Sequence, residues 1–292
     1  MTESPHFGDL LCSAIDRVGA PACVGIDPVH ERLPVSVRNG PGVEPDHVRA
    51  FCLGVLETIA GIVPVVKPQS ACFERFGAAG VAVLADVIAR ARDLGFIVIL
   101  DVKRGDIGST AAHYAAAAAS TGAHAVTVNA YMGESAVRPF LEAGLGVYIL
   151  VRTSNPDSDE IQAPRLQSGE TVAQHLAGFV SRLGAEMVGF TGLSSVGAVV
   201  GATKSAADGK ALRKCMPAAP VLVPGVGVQG GTVEQVRPLV RPGATSPGRL
   251  GMLVNAGRSV LYEPPGPGEA WEDAVARAAR QFAADCAGLA AQ

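Results

Sequence analysis

Short apolar runs recur along the chain, each ending at a polar residue or a Gly/Pro break. They fall at residues 22–27, 62–67, 96–101, 123–129, 146–152, 197–203, 220–223 and 250–256. The runs are nearly continuous rather than alternating, the mark of strands buried on both faces, as in a parallel sheet covered by helices. Between them the apolar spacing changes to a helical period. This predicts helices over 46–60, 80–94, 109–120, 133–143, 171–183, 205–215, 232–236 and 269–289. Ser109 or Thr110 is the expected N-cap of the third helix, and Gly122 its stop. Eight alternating units predict a single (β/α)8 TIM barrel, one domain over residues 1–292. A doubly wound open sheet is the alternative. The Gly/Pro-rich stretches 34–45, 155–169 and 240–248 read as loops.

Composition narrows the function. Hydrophobic residues make up 48% of the 292 and charged residues 17%, which excludes disorder. The net charge is −3, with no basic stripe for nucleic acid and no Lys/Arg run for a membrane surface. No window approaches the ~18 consecutive apolar residues of a membrane span. The start, MTESPHFGDLL, lacks the features of a signal peptide, so a cytoplasmic location is expected. Cys12, Cys23, Cys52, Cys72, Cys215 and Cys286 are scattered without a CxxC pair, which reads as free thiols and no metal site. None of the six histidines stands in a Ser/His/Asp or HExxH arrangement.

In a barrel of this kind the chemistry gathers at the C-terminal ends of the strands. The polar run ends are Asp27, Lys67, Asp101, Asn129, Arg152 and Asn255. The sharpest local feature is Asp101-Val102-Lys103-Arg104-Gly105-Asp106. Asp101 and Lys103 are two apart and point to one side of a strand, and Asp106 can fold back after the glycine. A lysine flanked by two acids stays charged and is a pre-positioned proton donor. The segment from Pro224 to Gly231 contains a GxGxxG pattern. It follows the seventh run, and no acid stands about 20 residues later to hold a ribose, so a nicotinamide site is poorly supported. Paired with Asn255-Ala256-Gly257-Arg258-Ser259, it reads as the phosphate site common after strands seven and eight.

These segments together resemble the orotidine 5'-phosphate decarboxylases, in their longer bacterial (type 2) branch. The signature DxKxxDIxxT is present as Asp101, Lys103, Asp106, Ile107 and Thr110. CVGIDP around Asp27, VVKPQ around Lys67, RTSNP around Ser154, VPGVGVQGG around Gln229 and NAGRSVLY around Arg258 follow in the family's order. The resemblance implies decarboxylation of orotidine 5'-phosphate to uridine 5'-phosphate, the last step of de novo UMP synthesis, with no cofactor. Lys103 would protonate C6 of the pyrimidine as CO2 leaves. Asp101, Asp106 and Lys67 would complete the charged network. Asp27 and Lys67 would contact the ribose and Ser154 the pyrimidine edge. Gln229, Gly257 and Arg258 would hold the phosphate. The resemblance also implies a homodimer with shared sites, in which Asp106 and Thr110 act on the neighbouring subunit. The long segments 34–45 and 155–169 depart from the shorter members, and an aromatic phosphate contact of some members has no counterpart near Gln229.

Three other readings share parts of this pattern. A phosphosugar lyase or aldolase on the same barrel also carries DxKxxD but uses Mg²⁺. A nicotinamide-dependent oxidoreductase would rest on residues 225–230. A non-catalytic barrel would bind a nucleotide monophosphate and leave it intact.

Overall fold

Eight parallel strands pair in the order β1 to β8, and β8 closes the ring against β1. The computed structural model describes residues 5–227 and 230–290. The strands are β1 (Ala22–Ile26), β2 (Val65–Pro68), β3 (Ile97–Arg104), β4 (Ala125–Val128), β5 (Gly146–Arg152), β6 (Val196–Val200), β7 (Val221–Val223) and β8 (Met252–Ala256). Each lies on one predicted run, so the closed barrel stands and the open sheet falls. β3 runs past its predicted end and carries Lys103 within the strand.

Side chains divide by the two-residue period of the strands. Cys23, Val65, Ile97, Ile99, Ala125, Tyr148, Val199, Leu222 and Leu253 fill the barrel interior. Their neighbours, such as Val24, Val66, Val98, Leu100, Val126 and Val254, face the surrounding helices in the larger outer core. The helices Glu44–Ile59, Gly77–Asp93, Gly108–Ser120, Val172–Gly184, Ala206–Cys215 and Trp271–Ala287 supply that outer layer. Thr171 and Ser205 cap two of them by accepting from the amides of Gln174 and Asp208.

Several local expectations change, among them the predicted helix 232–236, which is the 3-10 segment Glu234–Leu239. The helix after β3 begins at Gly108 with Ile107 at its N-cap, and no hydroxyl caps it. The predicted helix 133–143 is one short 3-10 turn, Glu134–Ala136, and then Arg138–Glu142, because Pro139 cannot continue an earlier helical hydrogen-bond ladder. The stretch 155–169 contains the short helix Ser158–Gln162, and residues 34–45 contain Val35–Arg38.

An N-terminal helix, Phe7–Val18, was not expected from the alternating units. Phe7, Leu11, Ala14 and Ile15 lie on one face of it and pack into the interior cluster, so the helix plugs the bottom of the barrel. Phe7 meets Tyr148 edge to face at 5.9 Å. A Cβ on Gly146 would come within 2.3 Å of the Phe7 ring, so only glycine admits the plug there. With its base shut, the barrel opens only at the strand C-termini.

All six cysteines are free, and four are buried. Among the described residues, no helix is long and apolar enough to cross a membrane.

Arg213 ties the β6–β8 side together. It is buried, and its guanidinium donates to the carbonyl oxygens of Leu239, Met216, Ala219 and Gly251. Burial and the nearby Arg241 lower its pKa to about 10, so it remains charged at neutral pH. Arg213→Met leaves those carbonyls without donors at a cost of about 2–4 kcal/mol. Thermal denaturation should show the midpoint falling by about 5 °C or more; an unchanged midpoint would contradict this clamp.

Candidate active site

The interior alternation builds the site directly. On β1 the inward series runs Cys23, Gly25, Asp27; on β2 it runs Val65, Lys67, Gln69; on β3 it runs Ile99, Asp101, Lys103. On β4 Thr127 stands two residues above Ala125, and on β8 Asn255 stands two above Leu253. The lower layers are apolar and the upper ones polar, so charge collects at the open end. There it lines a cavity of about 460 Å³, together with Ser154, Pro224, Gly225, Gly257 and Arg258.

Asp101 is the hub. Its Oδ2 accepts from Lys67 Nζ at 2.7 Å and from Gln69 Nε2 at 3.1 Å. Its Oδ1 accepts from Lys103 Nζ at 2.6 Å and from Thr127 Oγ1 at 2.7 Å. Asp101 and Lys67 are nearly inaccessible, whereas the Lys103 side chain is 46% exposed and reaches up into the cavity. Burial alone would raise the Asp101 pKa, but the two ammonium groups outweigh it and hold the carboxyl well below the ordinary carboxylate range. Burial likewise disfavours charge on Lys67, and Asp101 and then Asp27 override it and raise its pKa.

Asp27 lines the cavity at the end of β1, beside the Lys67 strand. Its backbone carbonyl accepts from the Tyr262 hydroxyl, which also accepts from the Val29 amide at 2.6 Å. Tyr262 is stacked on Phe51 and covered by Arg32, so this anchor is rigid. Asp27 Oδ1 and Asn255 Oδ1 are buried and have no partner among the described residues. Buried acceptors without donors are rare and point to a ligand that supplies them.

The loop after β5 forms the roof. Gly201 lets it sit close, since a Cβ there would lie 2.6 Å from the Ser154 Cα. Gln162 fastens Thr153 by accepting from its amide at 2.8 Å and donating to its hydroxyl at 3.0 Å. Asp159 is held by Arg152 at 2.8 Å and Lys204 at 2.6 Å.

The structure gathers Asp27, Lys67, Asp101, Lys103, Ser154, Gly257 and Arg258 around one cavity. It does not bring Asp106 to Lys103: Asp106 Oδ1 accepts from the Ile107 amide, and neither Asp106 nor Thr110 lines the cavity of this chain. The picture of Lys103 flanked by two acids of one chain is therefore corrected to a single intrachain partner. Gln229 lies outside the described residues. Of the other strand ends, Asn129 turns away to cap the Tyr131 amide. Arg152 leaves the cavity because the β5–β6 register shifts between Leu150 and Arg152, and Thr153 lines it instead. In the glycine loop the amides of Gly227, Gly230 and Gly231 donate to carbonyls within the loop, and among the described residues Gly225, Val226 and Gly257–Ser259 line the cavity beside it. Gln69, Thr127 and Asn155 were not singled out by motif; the two-residue step beyond Lys67 would have found Gln69. No histidine lines the cavity.

Residues 21–274 match the model of the orotidine 5'-phosphate decarboxylase / HUMPS family. An orotidine 5'-phosphate decarboxylase of Rhodopirellula baltica is 39% identical over 273 residues, 88% of each chain. One from a Nocardioides strain is 42% identical over 266 residues, covering 87% of this chain and 91% of that one. Among solved structures, the OMP decarboxylase of Leishmania donovani aligns with a TM-score of 0.76 at 28% identity, over 98% of this chain and 99% of that one. The UMP synthase of the same organism aligns with a TM-score of 0.80 at 29% identity, over 98% of this chain and 56% of the longer one. Matches of this length and identity, on a barrel whose charged residues fall on the signature, establish that the chain belongs to the orotidine 5'-phosphate decarboxylase / HUMPS family.

Proposed function

We propose that this enzyme decarboxylates orotidine 5'-phosphate to uridine 5'-phosphate, with Lys103 as the proton donor to C6. The observation that carries this reading is the Lys67–Asp101–Lys103 network on the floor of a closed-bottom cavity, with Arg258 on the rim after β8. The substrate has two anionic ends. Its phosphate suits the Gly257–Ser259 turn and Arg258, whose guanidinium offers a two-pronged grip and makes no ion pair among the described residues. The unpartnered oxygens of Asp27 and Asn255 suit ribose hydroxyls, which donate O–H to both. Ser154 on the roof suits the pyrimidine edge.

This pose sets the scissile carboxylate near Asp101. Two like charges ~4 Å apart at an effective dielectric of about 20 repel by roughly 4 kcal/mol. Phosphate binding, remote from the reacting carbon, offsets that cost. As the C6–carboxylate bond breaks, its electron pair stays on C6 and CO2 departs uncharged. The repulsion then fades, and the Lys103 ammonium faces growing negative charge, an interaction stronger in the transition state than in the substrate. Lys103 Nζ gives its proton to C6, and the neutral amine regains one from solvent. Lys67 keeps Asp101 ionised throughout.

We extend the reading to a homodimer with shared sites. Asp106 and Thr110 lie on the loop and helix start after β3, beside the exposed side chains of Ile107, Tyr131 and Met132. That apolar rim is suited to a second copy carrying Asp106 toward Lys103.

A spectrophotometric assay with orotidine 5'-phosphate and excess chelator tests the reaction. The parent should turn over undiminished; loss restored by Mg²⁺ would favour the aldolase branch. Lys103→Ala should lower kcat by about 10³-fold or more with its melting temperature retained. Arg258→Ala should lower kcat/KM by roughly 10²-fold. Near-parent kcat in the first, or unchanged kcat/KM in the second, would remove that residue from its role. For the shared site, Lys103→Ala and Asp106→Asn proteins, each inactive, should regain activity when mixed and re-associated. Mixed dimers then hold one intact site; no recovery in verified mixed dimers would place Asp106 outside the partner's chemistry.

A further inference from the structure

The β3–β4 ladder is in register up to Leu100, which faces Val126, and resumes at Arg104, which faces Val128. Three residues of β3, Asp101, Val102 and Lys103, therefore stand against one residue of β4, Thr127. Such a bulge takes backbone amides off the ladder and re-aims the side chains it carries. Here it carries the hub and the exposed ammonium of the site.

The two displaced amides are taken up by one side chain. Val102 N and Lys103 N donate to Thr127 Oγ1 at 3.1 and 2.9 Å. The same hydroxyl donates to Asp101 Oδ1 at 2.7 Å. A threonine hydroxyl has one proton and two lone pairs, and all three are in use. Thr127 is 1% exposed, so water cannot replace it.

Lys103 itself has a φ of 44° and is the one non-glycine in the left-handed region among the described residues. A lysine there is strained by about 1–2 kcal/mol and persists only where its surroundings over-determine it. The bond from Lys103 N to Thr127 is part of that constraint. Lys103 Nζ then meets the same Oδ1 that Thr127 holds, at 2.6 Å. One hydroxyl thus sets the bulge, the strained backbone and the acceptor that aims the ammonium.

We infer that Thr127 is a positioning residue for proton delivery, acting through its hydroxyl on Lys103 and Asp101. This rests on the decarboxylase reading above and adds to it a residue outside the DxKxxD signature. It also separates two effects. The phosphate and ribose contacts lie elsewhere in the cavity, so loss of the hydroxyl strikes the chemical step and spares binding.

The test compares Thr127→Val, which keeps shape and removes the hydroxyl, with Thr127→Ser, which keeps the hydroxyl and removes a methyl. Misplacement of a reacting group by ~1 Å can cost about 10²-fold, and Thr127→Val should lose kcat on that scale. Inhibition by the product, uridine 5'-phosphate, should stay within about threefold of the parent in both variants, and Thr127→Ser should keep kcat within about fivefold. If valine is not tolerated by the fold, Thr127→Ala against Thr127→Ser isolates the hydroxyl in the same way. Three results overturn the inference: near-parent kcat without the hydroxyl, equal losses in the variants with and without it, or loss of product binding in step with kcat. Parent turnover is measured first. A parent that leaves orotidine 5'-phosphate intact defeats the decarboxylase reading and this inference with it, whereas an active parent matched by Thr127→Val defeats the inference alone.

Discussion

A single carboxylate, nearly sealed from water, accepts from four donors: Lys67, Gln69, Lys103 and Thr127. The rest of the site depends on Asp101 remaining ionised in that position. Desolvating a charge is costly, and the cost is met only where partners are close and well aligned. Each partner comes from an inward position on the barrel wall: β2 gives Lys67 and its continuation Gln69, β3 gives Lys103, and β4 gives Thr127. The fold thus brings together a constellation that no one segment contains. Because the folded pKa of Asp101 is depressed, its stabilising contribution is full above the unfolded value of about 4 and is lost as pH falls through the lower folded value.

The closed base gives this network its direction. Phe7, Leu11, Ala14 and Ile15 fill the lower barrel, and the apolar layers above them carry no charge. A ligand has access only from the strand ends, where charged groups stand at the floor and the Gly257–Arg258 turn on the rim. A substrate anchored by a distant anion can then be held with a second anion against Asp101, the remote binding offsetting the repulsion.

Much of this was legible in the sequence for a physical reason. Strands of a parallel barrel are buried on both faces, so their apolar runs stand out, and polar residues at their ends are conspicuous. Asp27, Lys67 and Asp101 were found in that way, and DxKxxD added Lys103. The same rule misplaced Asn129 and Arg152, because strand termination and a register shift override the two-residue alternation at these points. Thr127 was hidden inside an apolar run, and its importance comes from a bulge on the neighbouring strand. The N-terminal helix had a readable stripe, with Phe7, Leu11, Ala14 and Ile15 at helical spacing, but fell outside the repeating unit. The relation of Asp106 to Lys103 is not a property of one chain's sequence pattern, since within this chain Asp106 turns to its own loop.

The central claim is tested most directly by following the side-chain carboxyl carbon of Asp101 by ¹³C NMR across a pH titration of the parent, assigned with Asp101→Asn. The account predicts a constant shift, that of an ionised carboxylate, from pH 8 down to about pH 4. A titration midpoint at or above the ordinary value of about 3.9 would contradict it.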